Sequence, residues 1–375
     1  MLQATNKKKG SWILFVILFF VNIGFKEVIR FLEVNDFLLE GIFVLTFISL
    51  MIFFISNTYQ LKNILWLVIL FYFFLLFMSF QNLDILKVEY GLQKVFLGLF
   101  VPVLCIIVFN RYEWDDKSVL KYLIISVSII SIIGILYKLK GGFFDRSVSF
   151  GLLGSIPFGW VNGMAFLSLV LVREKSFKQI VLSLFFLTMI IWTGSKGPLL
   201  GVVLVCLIFW NRVLGKKVST KIIVFSIVCI AFFILLIYSD DIRSVRMIID
   251  FLADPEEYSE GVGKGSVGTR QEYIATSWRL FLENPIFGVG FGGWQSNFTD
   301  HKYPHNVSME MLAETGFVGF VFFLYLLFKL KYKKIIAYVG LYGMMTLLFS
   351  GDFSYFRYAF FPLLLAYVSN DNTKL

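Results

Sequence analysis

Three cysteines and two histidines in 375 residues leave little room for a disulfide framework or a ligand-rich metal centre. Charge is scarce as well. Only 16% of residues are Asp, Glu, Lys or Arg, against about 25% in an ordinary soluble domain, while 58% are apolar. That balance excludes a soluble enzyme and a disordered chain. The apolar residues come in continuous runs and do not alternate, which excludes an outer-membrane barrel. Cys105, Cys206 and Cys229 all lie inside apolar runs at no metal-binding spacing, and read as small buried hydrophobes. What is abundant is lipid-compatible surface, with 45 Phe and 17 Tyr. The fold class expected is all-α, a polytopic integral membrane protein.

A spanning helix needs about 20 apolar residues. Runs near 11–32, 37–56, 62–80, 94–110, 118–138, 155–172, 179–194, 197–211, 221–238, 307–328, 335–350 and 353–369 give about 12 spans. The expected organisation is a transmembrane bundle of about nine spans over 1–238, an extracytoplasmic loop over 239–306, and three C-terminal spans over 307–375. Lys7, Lys8 and Lys9 ahead of an apolar run resemble a signal peptide. No small-residue cleavage site follows, so the segment reads as a retained anchor.

The net charge of +9 invites a nucleic-acid reading, but the basic residues cluster at span ends. Starting in the cytosol and alternating through the spans puts 19 of the 34 Lys and Arg on the cytosolic side. Six of the 15 on the outer side fall in the long loop, where the positive-inside rule carries little weight. The comparison is then 19 against nine, which places both termini in the cytosol and the long loop outside. A loop of that length is functional more often than structureless. Within it, TRQEYIATSWRLFLE at 269–283 has helical spacing, and ENPIFGVGFGGW reads as a turn followed by a glycine-rich stretch.

Two motifs in the loop are decoys. Gly288, Gly290 and Gly293 spell GxGxxG, without the preceding strand or crossover helix that dinucleotide binding requires. GVGKGS at 261–266 imitates a phosphate loop, but Gly265 follows its Lys264 where Ser or Thr is needed. The glycines are better read as letting backbone turn tightly against a cavity. His301 and His305 are four apart, but Pro304 disfavours a helix joining them, and no metal site is expected.

His305 opens the run PHNVSMEMLAETGFVGF, where Asn306, Glu310 and Glu314 follow at four-residue intervals and form one polar stripe entering the membrane. A carboxylate there is costly unless it is paired or faces water. HNVSMEMLAETGFVG resembles the HNxxLExLxExGxxG signature of the bacterial O-antigen ligase and polysaccharide polymerase superfamily. TGSKGPLLG at 193–201 resembles that family's TGSRGxxLG motif. Residues 269–294 resemble its segment with Arg, Trp and a Pro-x-x-Gly-x-Gly end, and 145–166 give a weaker echo with Arg146 and Asn162. Lys196 stands where many members carry Arg, supplying a point charge without the bidentate fork. Trp278 is displaced from the family's aromatic position, occupied here by Tyr273, so Arg279 is a second candidate for the loop arginine beside Arg270.

The resemblance implies a transferase acting on glycan carried by undecaprenyl diphosphate. A leaving diphosphate needs cations in a water-screened site, a role that falls to Lys196 and Arg270 with Arg146 in support. A sugar hydroxyl is a weak nucleophile, and His305 is the residue to orient it or take its proton. Lys196, Arg270 and His305 are the expected catalytic set. Arg146, Arg279, Asn306, Glu310 and Glu314 are the expected substrate-binding set. No DxD-type motif occurs in the loop, so metal-independent, inverting transfer without a cofactor is expected. The expected partners are lipid-linked donor and acceptor glycans, membrane lipid, and a chain-length regulator protein as a candidate, with no nucleic acid. The abundant Phe, Ile and Lys suggest an AT-rich gene, as is often seen in mobile polysaccharide clusters, which favours a polymerase of O-antigen or capsule type at the outer face of the inner (plasma) membrane. The alternatives are a ligase of the same family, which passes finished glycan to lipid A-core, and a lipid-linked oligosaccharide flippase. A flippase is expected to line a path across many spans with charge, which this chain does not do.

Overall fold

The computed structural model describes residues 8–9, 15–19, 21, 62–80, 85–109, 112–113, 115–143, 148–151, 153–172, 176–209, 267–296, 303–330 and 334–371. The expected spans at 37–56 and 221–238, and most of 11–32, lie outside these residues. So do Arg146 and His301.

Nearly all of the described chain is helical. The helices are α1 (Lys62–Ser79), α2 (Ile85–Val95), α3 (Val101–Phe109), α4 (Asp116–Gly141), α5 (Ser155–Val170), α6 (Phe177–Trp192), α7 (Lys196–Ile208), α8 (Val267–Glu283), α9 (Gly293–Ser296), α10 (Val307–Lys329), α11 (Ile335–Ser350) and α12 (Arg357–Asp371). A π-helical turn, Phe96–Phe100, joins α2 to α3, and a 3₁₀ turn, Phe353–Phe356, precedes α12. The two-residue strands β1 (Lys8–Lys9) and β2 (Tyr112–Glu113) pair in parallel.

Among the described residues, three stretches are long and apolar enough to cross a bilayer: Lys87–Ile107, Asp116–Gly141 and Val307–Lys329. Shorter apolar helices cover most of the other expected spans among the described residues. The expected span at 94–110 is corrected at its start, because the helix begins nine residues earlier, at Ile85. Lys87, Glu89 and Lys94 hid that part from a hydropathy reading, and two of these three turn out to be buried.

Local chemistry sets the helix starts. The Asp115 carboxylate accepts the Ser118 N–H at 2.8 Å ahead of α4. Hydrogen bonds from the Ser118 hydroxyl, then from its N–H, hold the Asp115 carboxyl below the usual carboxylate range. Ser176 and Gln179 form a reciprocal capping box at the start of α6.

The chain divides into two compact units, Met1–Ile130 with Ser277–Leu375, and Ser131–Thr276. In the first, α1 packs on α2 and α10, α3 on α12, and α11 on α12. Its centre is aromatic: Phe71, Phe323, Phe353 and Phe356 are all fully buried, with Phe71 and Phe353 6.4 Å apart and Phe323 and Phe356 5.2 Å apart. In the second, α5 packs on α6 and α7. There Asn162 is fully buried, accepting the Ser131 hydroxyl at 2.7 Å and donating to Phe158 O at 2.8 Å.

Candidate active site

The first unit builds its polar centre where α10 begins. Asn306 is extended, and its Oδ1 accepts the N–H groups of Ser308 and Met309 at 3.0 and 3.1 Å. The expected substrate contact at Asn306 is therefore also a helix cap, a role worth about 1 kcal/mol. Directly before it, His305 is half-buried with φ 57°, the single non-glycine residue at positive φ among the described residues. A side chain with a Cβ is disfavoured there by about 1–2 kcal/mol. Such outliers persist where their surroundings over-determine them, and they cluster at active sites. Here the Asn306 cap fixes one side, and the Tyr303 ring, 4.2 Å from the imidazole, fixes the other.

One turn further in, Glu310 and Glu314 are wholly buried, and the cation between them is Lys94 of α2, 3% exposed. The three donors of its ammonium reach Glu310 Oε1 at 2.6 Å, Glu314 Oε1 at 2.7 Å and Gln295 Oε1 at 2.6 Å. The remaining carboxylate capacity is taken by backbone. Glu314 accepts from Gly292 N at 3.0 Å and Trp294 N at 3.1 Å, and Glu310 accepts from Phe353 N at 2.7 Å. Buried charges survive only when paired and hydrogen-bonded in this way. Glu310 and Glu314 thus tie four segments together: α2, the glycine-rich turn, α10 and the 3₁₀ turn. Sequence reasoning passed over Lys94. The signal available was the Lys87, Gly91, Lys94 spacing of α2, which puts all three on one helical face.

The glycine-rich turn owes its course to the glycines. Gly288, Gly290 and Gly292 have φ of 67°, 91° and 89°. A Cβ at Gly288 would strike the Glu314 backbone, and one at Gly292 the carbonyl of Lys87. The turn also completes α10, which breaks at Gly316 (φ 61°, ψ −163°). Phe317 N and Val318 N, released by that break, donate to Pro285 O and Ile286 O at 2.8 and 3.2 Å, and Ala313 O accepts from Val289 N at 3.0 Å. Trp294 is buried and donates its indole N–H to Ser277 Oγ of α8 at 2.9 Å. Arg279, the second candidate arginine, is 66% exposed and lies 3.8 Å from Glu283, a surface pair of little energetic weight.

The second unit holds the other expected cations. Lys196 is the first residue of α7 and is half-buried, as is Arg270 on α8. Gly194 turns the chain at φ 60° with open space where a Cβ would sit. Ser195 caps α7 without using its side chain. Its Oγ is buried and makes no hydrogen bond among the described residues. Pro198 occupies the third helical position and carries no N–H, so the first turn offers the N–H groups of Lys196 and Gly197. A buried hydroxyl, a lysine and a helix N-terminus make a seat suited to an anion. Lys138, also buried in this unit, lies 4.5 Å over the Phe150 ring and was not anticipated.

Residues 181–324 match the family model described as O-antigen ligase. The matched stretch runs from α6 through α7, α8, the glycine-rich turn and His305 into the second half of α10. No curated protein matches the chain.

Proposed function

We propose that this chain, a member of the O-antigen ligase and polysaccharide polymerase superfamily, is a membrane glycosyltransferase that polymerises undecaprenyl-diphosphate-linked repeat units at the outer face of the plasma membrane. The acceptor hydroxyl oxygen attacks the anomeric carbon of the donor glycan. The bond from that carbon to the diphosphate breaks with inversion, undecaprenyl diphosphate leaves, and the hydroxyl proton passes to His305. Lys196 and Arg270 meet the charge that develops on the diphosphate, with Arg146 in support. The α7 N-terminus and Ser195 supply the neutral donors. Arg279 and the cap residue Asn306 line the approach of the glycan. Glu310 and Glu314, spent on Lys94, act on substrate by holding the segment that carries His305.

The observation that carries this reading is His305 itself, held in a costly backbone conformation at the head of α10 by a cap on one side and a ring on the other. Loss of a positioned base costs about 10²–10⁴ in rate. His305→Ala should leave single-repeat glycan on the anchor in gel analysis of surface polysaccharide, with the protein still in the membrane at normal level. Full-length polymer from that variant would remove His305 from the chemistry. The family description favours the ligase as second reading. Deleting a ligase would leave lipid-linked polymer accumulating and the anchor bare.

A further inference from the structure

The break in α10 fixes a depth. Lys329 ends the helix, and Lys331, Lys333 and Lys334 follow, marking one membrane boundary. From Phe317 to Phe328 the helix rises about 16 Å at 1.5 Å per residue. The hydrocarbon core is about 30 Å thick. Phe317 and Val318 therefore lie inside the core, roughly 13 Å short of its far boundary, and any tilt of the helix sets them deeper. Their N–H groups bond to Pro285 O and Ile286 O, so the turn that follows α8 lies at that same depth.

Its side chains suit the place. Ile286 is 60% and Phe287 51% exposed, and they adjoin the exposed stripe of α10 formed by Phe317, Val318, Val321, Leu324 and Phe328. Irregular backbone is tolerated at membrane depth only where protein satisfies its polar groups. The Gly316 break does this, trading two α10 N–H groups and the Ala313 carbonyl with the turn, while Gly288 N closes on Asn284 O at 2.8 Å. Further back along α8, the exposed Trp278 sits near the exposed Arg279–Glu283 pair, the composition of a membrane interface.

We infer that residues 284–289 form a re-entrant segment, with the Ile286 and Phe287 side chains among the lipid chains of the leaflet on the His305 side. The loop that precedes His305 is then anchored in the bilayer. The partner of this surface is lipid hydrocarbon. The inference requires α10 to span the membrane and is independent of the glycosyl-transfer chemistry.

The test uses the full chain with Cys105, Cys206 and Cys229 replaced by Ser, reconstituted in phosphatidylethanolamine–phosphatidylglycerol vesicles. A nitroxide is placed on Phe287→Cys and, separately, on Ile286→Cys, Val321→Cys and Glu272→Cys, the last an exposed position near the start of α8. Collision of each label with oxygen and with a water-soluble nickel chelate is compared. At 286 and 287 oxygen should dominate, as at 321, while nickel should dominate at 272. Nickel access at 286 and 287 equal to that at 272, with 321 still lipid-exposed, would overturn the inference alone. Nickel access at 321 would show that α10 does not span, and would overturn the inference and its premise together.

Discussion

At the scale of single residues, His305 separates chemistry from folding. The strain at φ 57° is relieved by glycine, which adopts that region freely, and is kept by alanine. Glycine gives back part of the gain through backbone entropy in the unfolded chain, about 0.5–1 kcal/mol. Both variants should lose polymer synthesis. Thermal unfolding in detergent should nevertheless find His305→Gly near the parent and His305→Ala less stable than His305→Gly by about 1 kcal/mol. Equal stability of the two variants would mean that the left-handed conformation is not what they differ in. Lys196 gives a second prediction at this scale. Removing a donor that faces developing charge costs about 10²–10³ in rate. Lys196→Ala should therefore lose most elongation activity while Lys196→Arg keeps it, both measured on purified enzyme with lipid-linked repeats. If the Ala variant elongates normally, Lys196 is left with headgroup binding. Asn306 and the two glutamates stood out in the sequence because they recur at four-residue intervals beside an apolar run, and His305 stood out by the motif resemblance at their head. Lys94 was not. Its partners lie more than 200 positions away, and nothing local marks a lysine as buried.

At the scale of elements, the glutamates hold the site together through that lysine. Lys94→Met would leave two carboxylates buried without a cation, a loss of about 3–5 kcal/mol. Adding Glu310→Gln and Glu314→Gln removes the uncompensated charge. The triple variant should unfold at a higher temperature than Lys94→Met alone, though below the parent, since Gly292 N and Trp294 N then face amides. A triple variant no more stable than the single one would show that packing, rather than charge, makes Lys94 indispensable. The glycine-rich turn depends on conformations other residues rarely take. Gly292→Ala combines φ 89° with a collision against the Lys87 carbonyl, and should cost at least the roughly 1–3 kcal/mol of a strained backbone. Gly288 and Gly290 turn the backbone tightly, as the sequence reading expected, and Gly292 joins them where that reading had singled out Gly293. The helices themselves were mostly legible from apolar runs, because a lipid-facing helix must be apolar over its length. The start of α2 was not, since its charges are satisfied inside the protein. The break at Gly316 was hidden too, because a single glycine among apolar residues gives no sign that another segment will take over its hydrogen bonds.

At the scale of the whole chain, the first unit gives the charge argument a physical frame. Lys8–Lys9 pair with Tyr112–Glu113, and Lys334 lies 3.3 Å from Asp116. The N-terminal lysines, the start of α4 and the start of α11 therefore share one end of this unit. Lys329 closes α10 just before the same α11 start, with His305 at the opposite end of α10. Lys8, Lys9, Lys117, Lys329 and Lys334 thus share one end of this unit, the arrangement the positive-inside rule expects of a cytosolic face. The prediction is that His305 faces outward. With the native cysteines replaced by Ser, Ser259→Cys in the loop ahead of α8 should react with a membrane-impermeant thiol reagent in intact cells. Lys9→Cys should react only after the cells are opened. The reverse pattern would invert the protein, place His305 in the cytosol and remove it from glycan assembled outside. Labelling of both positions in intact cells would mean an even number of spans between residues 9 and 259, which keeps His305 outward and overturns the cytosolic N-terminus.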